Sequence, residues 1–373
     1  MKISSPSVNT PTDFYFACRN GDIDGVIEQL EALTIDDVNR VQPNGSTPLH
    51  AACYFGHYQV VKLLLDFGAS RSVLNKHGCV PYDEAKASEL KQLFMRENSS
   101  RRFVDGMSSS GLTEWMRVSP NINDDAICRR VALKYCWDDS DTQRYLPRIQ
   151  KEYIDFHFTN SIHHDEIQYY LRNAIKEDNP IYLLKAYTAE TDFYKRLNRD
   201  LAEDIWLKYG SMKSLERIIE IVYNHSSLNQ FVFKGKTYRG MKITKDDLEQ
   251  YSTGTRLLNK SFLSTSKDRR IADRFALMEG VRKTEDGENI KHSAVCIYET
   301  RKDRSALDIE SISEYPQEKE VLIMPFTPFK VMKITHSRAS ASGIPEFEIE
   351  LRECKSLWIK EKWEQYKFAA VDE

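Results

Sequence analysis

The spacing of apolar residues changes along this chain, from intervals of three and four to alternation in short runs. The wider spacing predicts helices over residues 149–156, 167–175 and 182–201, with Asp178-Asn179-Pro180 as a turn before the last. Helices followed by many short strands are typical of an α+β fold. The predicted strands cover residues 231–233, 237–241, 261–264, 294–299, 320–323, 329–335 and 345–351.

A distinct motif lies ahead of these elements, with the letters Asn44-Gly45-Ser46-Thr47-Pro48-Leu49-His50-Ala51-Ala52 followed by Gly56. Thr47 and Pro48 are typical of a helix start, and Gly56 is typical of a helix end. The segment resembles an ankyrin repeat nearly letter for letter. In such a repeat His50 belongs to the helix-start pattern, so we expect it to bond the backbone rather than a metal.

Partial copies flank this repeat at offsets of 35 and 33 residues. The first contains Ala17-Cys18-Arg19-Asn20-Gly21, and the second has Gly78, Pro81 and Ala85 at the matching positions. Three units are about the minimum for a stacked core, and degenerate outer units are typical of caps. The resemblance implies an all-α ankyrin repeat stack over residues 1–98 that binds a protein partner.

The segments outside the repeats and the helical and strand-like regions are less informative. Residues 98–112 are rich in Ser, Gly and Arg and predict a linker. Residues 112–145 either dock the two modules or extend the second, so the whole region 99–145 has no assigned function. A second domain is expected over residues 146–373. Within it, residues 281–291 predict a polar loop and residues 358–368 a terminal amphipathic helix.

Composition narrows the class of protein. A net charge of −3 gives no basic field, so nucleic acid is not an expected partner. No apolar run reaches the roughly 18–20 residues that span a bilayer, so no membrane segment is expected. Residues 1–12 are polar and lack the pattern of a secretory signal. Seven cysteines without CxxC spacing favour free thiols, and we therefore expect a cytoplasmic or other intracellular location.

Three short motifs occur in a fixed order in the last third of the chain: Tyr238-Arg239-Gly240, Ser261-Phe262-Leu263-Ser264-Thr265-Ser266 and Glu318-Lys319-Glu320. The arginine lies 25 residues before the first serine of the Ser-Thr-Ser triplet, and that serine lies 56 residues before the second glutamate. Together they resemble the arginine–serine–glutamate signature of the mono-ADP-ribosyltransferases. The Glu-x-Glu ending resembles the branch that modifies arginine.

This resemblance implies a fold, a substrate and an acceptor. The fold would be an ADP-ribosyltransferase domain, with a helical half and a split antiparallel β-sandwich around an NAD cleft. NAD would be the substrate, arginine-containing proteins the acceptors, and the enzyme an NAD(P)(+)-protein-arginine ADP-ribosyltransferase, a glycosyltransferase. No metal is expected, because the polar run His163-His164-Asp165-Glu166 has no partners elsewhere that would complete a metal site.

The two glutamates of the last motif would have different roles. By resemblance, Glu320 stabilises the cation that forms at the ribose anomeric carbon of NAD. Glu318 would orient the acceptor guanidinium and assist its deprotonation, because a guanidine with a pKa above about 12 is a poor nucleophile while protonated. Residues two apart in an extended strand face the same side, so both carboxylates are predicted to point into one cleft.

Four more residues complete the predicted site. Arg239, expected at the end of a strand, would bind the diphosphate of NAD or its ribose. Gly240 would let the backbone approach and bond the nicotinamide carboxamide. Ser264 would orient Arg239 and Glu320. Phe275 either stacks on nicotinamide or packs in the core.

Two other functions fit the same residues. An NAD glycohydrolase on the same fold would give the ribosyl group to water. An ankyrin scaffold could carry an inactive transferase domain, although all three motifs are intact. Poly-ADP-ribose synthesis is disfavoured, because the branch that elongates chains carries a histidine in the place of Arg239.

Overall fold

The computed structural model describes residues 11–96, 115–117, 126, 130, 133, 139–202, 213–243, 245–277, 292–337 and 344–354. Three predictions from the sequence lie outside these residues: the linker over 98–112, the loop over 281–291 and the terminal helix over 358–368.

The chain forms two compact units whose segments alternate along the sequence. The first unit joins Met1–Glu97, Ile154–Phe193 and Glu310–Gln317. The second unit joins Asn98–Tyr153, Tyr194–Ile309 and Glu318–Glu373. The predicted domain over residues 146–373 therefore contributes to both units.

Helices precede most of the strands along the chain, as the apolar spacing predicts. The described helices are α1 (Asp13–Asn20), α2 (Ile23–Leu30), α3 (Ile35–Val38), α4 (Pro48–Phe55), α5 (Tyr58–Phe67), α6 (Pro81–Glu84), α7 (Ser88–Gln92), α8 (Asp141–Ile149), α9 (Asp155–Phe158), α10 (His164–Glu177), α11 (Ile181–Thr188), α12 (Asp192–Ala202), α13 (Lys213–Asn224), α14 (Lys245–Gln250) and α15 (Arg269–Leu277). The described strands are β1 (Trp115–Arg117), β2 (Gly235–Ile243), β3 (Arg256–Asn259), β4 (Leu263–Ser266), β5 (His292–Thr300), β6 (Ala306–Asp308), β7 (Glu320–Ile323), β8 (Pro328–His336) and β9 (Phe347–Glu353).

The first helix of the central repeat begins and ends at the predicted residues. Helix α4 starts at Pro48, and Thr47 Oγ1 accepts a hydrogen bond from the His50 N–H at 3.4 Å. It ends at Gly56, whose φ of 83° lies in the left-handed region that favours glycine. His50 Nε2 lies 3.0 Å from the Cys79 carbonyl oxygen, which confirms that this histidine bonds backbone.

The flanking copies share this pattern to different degrees. Helix α1 is capped by Thr12 and ends at Gly21, whose φ is 73°. In the third copy the helix α6 begins at Pro81 as predicted, but it is only four residues long. Stacking buries one continuous apolar core, formed by Phe14, Ala17, Cys18, Val26, Val38, Leu49, Ala52, Cys53, Val60, Val61, Leu64, Leu65, Ala69, Ala85, Leu90 and Phe94.

Two helix predictions need correction. The helix predicted over 182–201 is two helices, because Ala189 takes an extended conformation and Thr191 Oγ1 accepts from the Phe193 N–H at 3.2 Å. Such a side-chain bond favours a new helix start over continuation. The helix predicted from residue 149 already begins at Asp141, and a π-helical turn over Gln150–Ile154 joins α8 to α9.

The second unit contains a nine-stranded sheet in the order β1-β3-β8-β9-β5-β2-β4-β7-β6. Neighbouring strands are antiparallel except β5 and β9, so the predicted antiparallel sheet is in fact mixed. Residues 231–233 are not a strand, since Ser226–Phe231 is a 3₁₀ turn and Val232 makes a single bridge to Leu307. Strand β4 begins two residues later than predicted, and the short strands β1, β3 and β6 were not predicted.

Both faces of the central strands are covered. Helix α15 packs on one face, where Ala272 and Ala276 contact Val295 of β5. The other face contributes to the main core of the sheet, which includes Met241 and Cys296. Among the described residues, no helix is both long and apolar enough to cross a bilayer.

A partly buried acid in the first unit generates a pH-dependent prediction. Burial raises the pKa of Glu166 to about 7, against the opposing effect of Arg71, while Glu314 and Glu190 raise it further. Between pH values of about 4.5 and about 7, the folded state therefore holds a proton that the unfolded chain releases. This group makes the free energy of unfolding fall as pH rises through that window, by at most about 1.4 kcal/mol per unit.

We expect the free energy of unfolding of Glu166→Gln to fall less with rising pH than that of wild type, because the variant lacks the titrating group. Urea unfolding of wild type and variant at several pH values between 5 and 8 measures the difference. Asp165→Asn, which changes an exposed neighbour, is the control and should keep the wild-type slope. Identical slopes for wild type and Glu166→Gln would contradict the prediction.

Candidate active site

The pairing of β4 with β7 brings the serine and glutamate motifs side by side. Ser266 lies opposite Glu320, and Ser264 lies opposite Leu322. Opposed residues and residues two apart share one face of a sheet, so Ser264, Ser266 and Glu320 lie on the same face. The alternate residue Val321 belongs to the core on the other face.

Arg239 lies in the middle of β2, not at the strand end that the sequence predicts. Its Nη1 donates to the Ser264 carbonyl oxygen at 3.0 Å. Strands β2 and β4 pair only at Tyr238 and Ser266 among the described residues, whereas β2 pairs with β5 at nine positions. The guanidinium therefore links two strands at the least paired junction of this part of the sheet. Ser264 contacts Arg239 through its main-chain oxygen.

Glu318 does not continue the strand that begins at Glu320. It is the last residue of a 3₁₀ turn over Pro316–Glu318, and Lys319 has a φ of 48°. Residues two apart face the same side only in an extended strand, and Glu318 lies outside the strand. Both carboxylates are nevertheless buried. The Ser266 hydroxyl holds this turn by donating to the Glu318 carbonyl oxygen at 2.8 Å.

Lys319 has an unfavourable backbone conformation that its neighbours stabilise. A left-handed residue other than glycine costs on the order of 1 kcal/mol. The Lys319 carbonyl oxygen accepts from the Lys267 N–H at 3.1 Å, and its Nζ lies 3.2 Å from Asp268 Oδ2. Hydrogen bonds from Arg270 and from Lys319 hold the pKa of Asp268 well below its usual range. The loop after β4 thus supports the turn between the two glutamates.

Gly240 has a packing role in addition to the predicted one. A Cβ at this position would lie 2.0 Å from the Ala272 carbonyl oxygen and 2.7 Å from the Ala276 nitrogen. Both atoms belong to the backbone of α15 and cannot move aside independently. Close packing of the helix on β2 therefore accounts for a glycine here, and a bond to nicotinamide stays a prediction.

Phe275 is buried on α15, with 1% of its side chain exposed. The Arg274 guanidinium lies 5.7 Å from the centre of its ring. This burial is compatible with a core position, and stacking on a ligand stays a prediction.

The charged members of the set are also buried. The exposed fraction is 5% for Arg239, 2% for Glu318 and 0% for Glu320, and Ser264 is 3% exposed. A guanidinium suits an anionic part of a ligand, and a carboxylate suits a cationic part. Among the described residues no group of three or more His, Cys, Asp or Glu could hold a metal ion.

Of two supporting residues, Ser266 was expected from the sequence to support the bend, and Asn259 was not identified. Ser266 connects β4 to the Glu318 turn, and its place in the Ser-Thr-Ser triplet was the available signal. Asn259 is fully buried, and its Nδ2 donates to the Ser261 and Met324 carbonyl oxygens at 2.9 and 2.8 Å. Its Oδ1 accepts from the Thr327 N–H at 2.6 Å, which anchors the chain after β7. No local pattern indicates that role.

Two family profiles match the chain. The family described as NAD:arginine ADP-ribosyltransferase matches residues 162–355, slightly more than half of the 373 residues. The family described as Ankyrin repeats (many copies) matches residues 35–85. The resemblances drawn from the motifs are therefore confirmed for family and fold class.

Curated relatives match short stretches. Oxysterol-binding protein-related protein 1 of Homo sapiens is 49% identical over 65 residues, which is 15% of this chain and 7% of that protein. Ankyrin repeat and LEM domain-containing protein 1 homolog of Caenorhabditis elegans is 38% identical over 66 residues, which is 18% of this chain and 9% of that protein. The chain thus spans less than a tenth of the length of these relatives.

Solved structures of ADP-ribosyltransferases match a larger share of this chain than the curated relatives do. The Vis toxin of Vibrio splendidus, in complex with an inhibitor, is 19% identical with a TM-score of 0.37 and covers 65% of this chain and 93% of its own. Exoenzyme S of Pseudomonas aeruginosa, bound to a 14-3-3 protein and carba-NAD, is 19% identical with a TM-score of 0.34. The match covers 64% of this chain and 92% of the exoenzyme S chain.

The Ser266 hydroxyl generates a stability prediction. It donates to the Glu318 carbonyl oxygen at 2.8 Å and accepts from the Asp268 N–H at 3.0 Å. Ser266→Ala removes both bonds, and we expect the free energy of unfolding to fall by about 1–3 kcal/mol. Urea unfolding at neutral pH measures the change. The exposed Ser252→Ala is the control, expected within about 0.5 kcal/mol of wild type, and similar losses in both variants would refute the assignment.

Proposed function

Because the chain belongs to the NAD:arginine ADP-ribosyltransferase family, we propose that it transfers ADP-ribose from NAD to arginine side chains of proteins. The reaction releases nicotinamide and leaves a mono-ADP-ribosylated acceptor. One observation carries most of this proposal. Glu318 and Glu320 are both buried at the start of β7, where Ser266 lies opposite Glu320 and bonds the backbone of Glu318.

Arg239 is proposed to bind the diphosphate of NAD. A guanidinium presents a planar fork of donors that matches phosphate oxygens. The bond from its Nη1 to the Ser264 carbonyl oxygen restricts the orientation of that fork before substrate arrives. In the same proposal the Gly240 main chain and the Ser264 hydroxyl contact the nicotinamide end, and Phe275 stacks on its ring.

Glu320 is proposed to promote cleavage of the bond between ribose and nicotinamide. Its carboxylate accepts a hydrogen bond from a ribose hydroxyl and stabilises the positive charge that develops at the anomeric carbon. The electron pair of the breaking bond moves to the ring nitrogen of nicotinamide, which thereby becomes neutral. A carboxylate in a buried, weakly polar environment interacts with this developing charge more strongly than one in water.

Glu318 is proposed to select and activate the acceptor. Its carboxylate pairs with the arginine guanidinium and takes one proton from it, because the protonated group is a poor nucleophile. The freed nitrogen forms a bond to the anomeric carbon, and the proton passes on to solvent. NAD and arginine thus become nicotinamide, ADP-ribosyl-arginine and one proton.

The ankyrin repeats are proposed to bind a protein partner or the acceptor protein. Repeat stacks present extended surfaces for such contacts. Cys18, Cys53, Cys79, Cys296 and Cys354 are free thiols in the structure, which supports an intracellular setting for these encounters.

The role of Glu320 is tested by Glu320→Gln. We expect transfer to agmatine or to an arginine-rich polypeptide, and release of nicotinamide, to fall together by on the order of 100-fold or more, since the variant loses the charge that stabilises the cation. Adenylate-labelled NAD measures the first and nicotinamide-labelled NAD the second. Glu249→Gln, an exposed site on α14, should match wild type. Transfer retained in Glu320→Gln would refute the assignment.

The division of roles is tested by Glu318→Gln. We expect transfer to fall by on the order of 100-fold while hydrolysis of NAD stays within roughly threefold of wild type, because the ribose carboxylate is unchanged. Equal loss of both reactions would contradict separate roles. A wild-type chain that hydrolyses NAD without modifying any guanidino acceptor would instead be a glycohydrolase, and one that does neither would be a scaffold.

A further inference from the structure

The segment Glu310–Gln317, which leads directly into the Glu318 turn, belongs to the same compact unit as the ankyrin repeats. Glu314 lies within it and is 1% exposed. Its carboxylate accepts hydrogen bonds from Ser70 Oγ at 2.9 Å, from the Arg71 backbone N–H at 2.5 Å and from Ser72 Oγ at 2.5 Å. Three successive residues of the loop after α5 therefore bind one side chain.

The same loop and the helical part of the unit hold Glu314 from two further directions. Lys185 Nζ donates to Ser72 Oγ at 2.7 Å, which orients one of the donors toward the carboxylate. The Glu314 backbone N–H donates to Thr188 Oγ1 at 3.0 Å. A buried carboxylate is stable only where donors surround it, so this arrangement favours one position of the segment.

Two more residues of the segment contact the repeats. The centre of the Tyr315 ring lies 4.9 Å from the guanidinium carbon of Arg71 and 3.7 Å from that of Arg96. Arg96 Nη2 donates to the Thr188 carbonyl oxygen at 2.9 Å, so its guanidinium is itself held in place. Gln317 Nε2 donates to the Phe94 carbonyl oxygen. The last of these contacts comes one residue before Glu318.

We propose that Glu314 is a positioning residue for arginine transfer, through which the ankyrin repeats hold the segment that leads into Glu318. This inference rests on the proposed role of Glu318 as the residue that receives the acceptor. Glu320 is anchored by the pairing of β7 with β4, whereas Glu318 lies in a turn held by Ser266 on one side and by the segment on the other. We therefore expect loosening of the segment to displace Glu318 more than Glu320. The repeats then determine whether ADP-ribose reaches arginine or water, in addition to any partner they bind.

The test compares Glu314→Gln with wild type in the full chain. The amide keeps the size of the side chain and one acceptor oxygen, but it removes the charge and replaces the other acceptor with an N–H₂ donor, which weakens the clamp. We expect the ratio of ADP-ribosyl-agmatine formed to ADP-ribose released to fall by roughly tenfold or more, because small displacements of a reacting group have large effects on rate. Nicotinamide release should stay within roughly threefold of wild type. Glu89→Gln, an exposed glutamate of α7, is the matched control and should keep the wild-type ratio.

A second variant approaches the clamp from the ankyrin side. Ser70→Ala combined with Ser72→Ala removes two donors and should lower the same ratio. Adding Glu314→Gln to this pair should lower the ratio little further, because Ser70, Ser72 and Glu314 belong to one set of hydrogen bonds. Hydrogen exchange of a peptide covering residues 310–317 should be faster in each of these variants than in wild type and in Glu89→Gln.

The outcomes separate this inference from the proposed function. If wild type modifies no guanidino acceptor, the proposed function and this inference both fail. If wild type transfers and Glu314→Gln keeps the ratio, only the inference fails. Equal loss of transfer and nicotinamide release, additive effects of the variants, or unchanged exchange over residues 310–317 would each overturn it as well.

Discussion

The pairing of β4 with β7 is the constraint on which the candidate site depends. Each strand has four residues, and all of their side chains are buried. Strands this short are marginal by themselves, and side-chain bonds to the backbone reinforce them here. Thr265 Oγ1 donates to the Val321 carbonyl oxygen at 2.6 Å on one face, while Ser266 reaches the Glu318 turn on the other. Arg239 is tied to the same strand by the Ser264 carbonyl, so one strand pair organises the cation and both carboxylates.

Much of the fold can be predicted from the sequence, because the sequence signals for its helices and strands are local. Strand β7 begins at Glu320 as predicted, since the apolar run that follows favours an extended segment. The first helix of the central repeat begins after Thr47 at Pro48 and ends at Gly56, because capping residues and glycine have strong positional preferences. The order of motifs was also sufficient to indicate the family, which is recognised by a few residues at fixed positions.

The rest depends on contacts that no local pattern encodes. Lys319 adopts a left-handed conformation without being glycine, so nothing in the sequence marks the turn that separates Glu318 from the strand. Thr191 breaks a run of helical spacing through one hydrogen bond to the backbone. Glu314 meets donors 242 to 244 residues away in the chain, a separation at which periodicity carries no information.

The interleaved first unit has a consequence for how the protein is made. Its three stretches end at Glu97, Phe193 and Gln317, so the unit is incomplete until residue 317 has been synthesised. Roughly 200 residues separate the end of the first stretch from the end of the last, and translation at about 5–20 residues per second takes on the order of tens of seconds to supply them. During this interval the repeats lack the segment Glu310–Gln317, whose Glu314 side chain accepts hydrogen bonds from the loop after α5. A nascent chain that stops before residue 317 therefore lacks both the closed first unit and the Glu318-x-Glu320 pair.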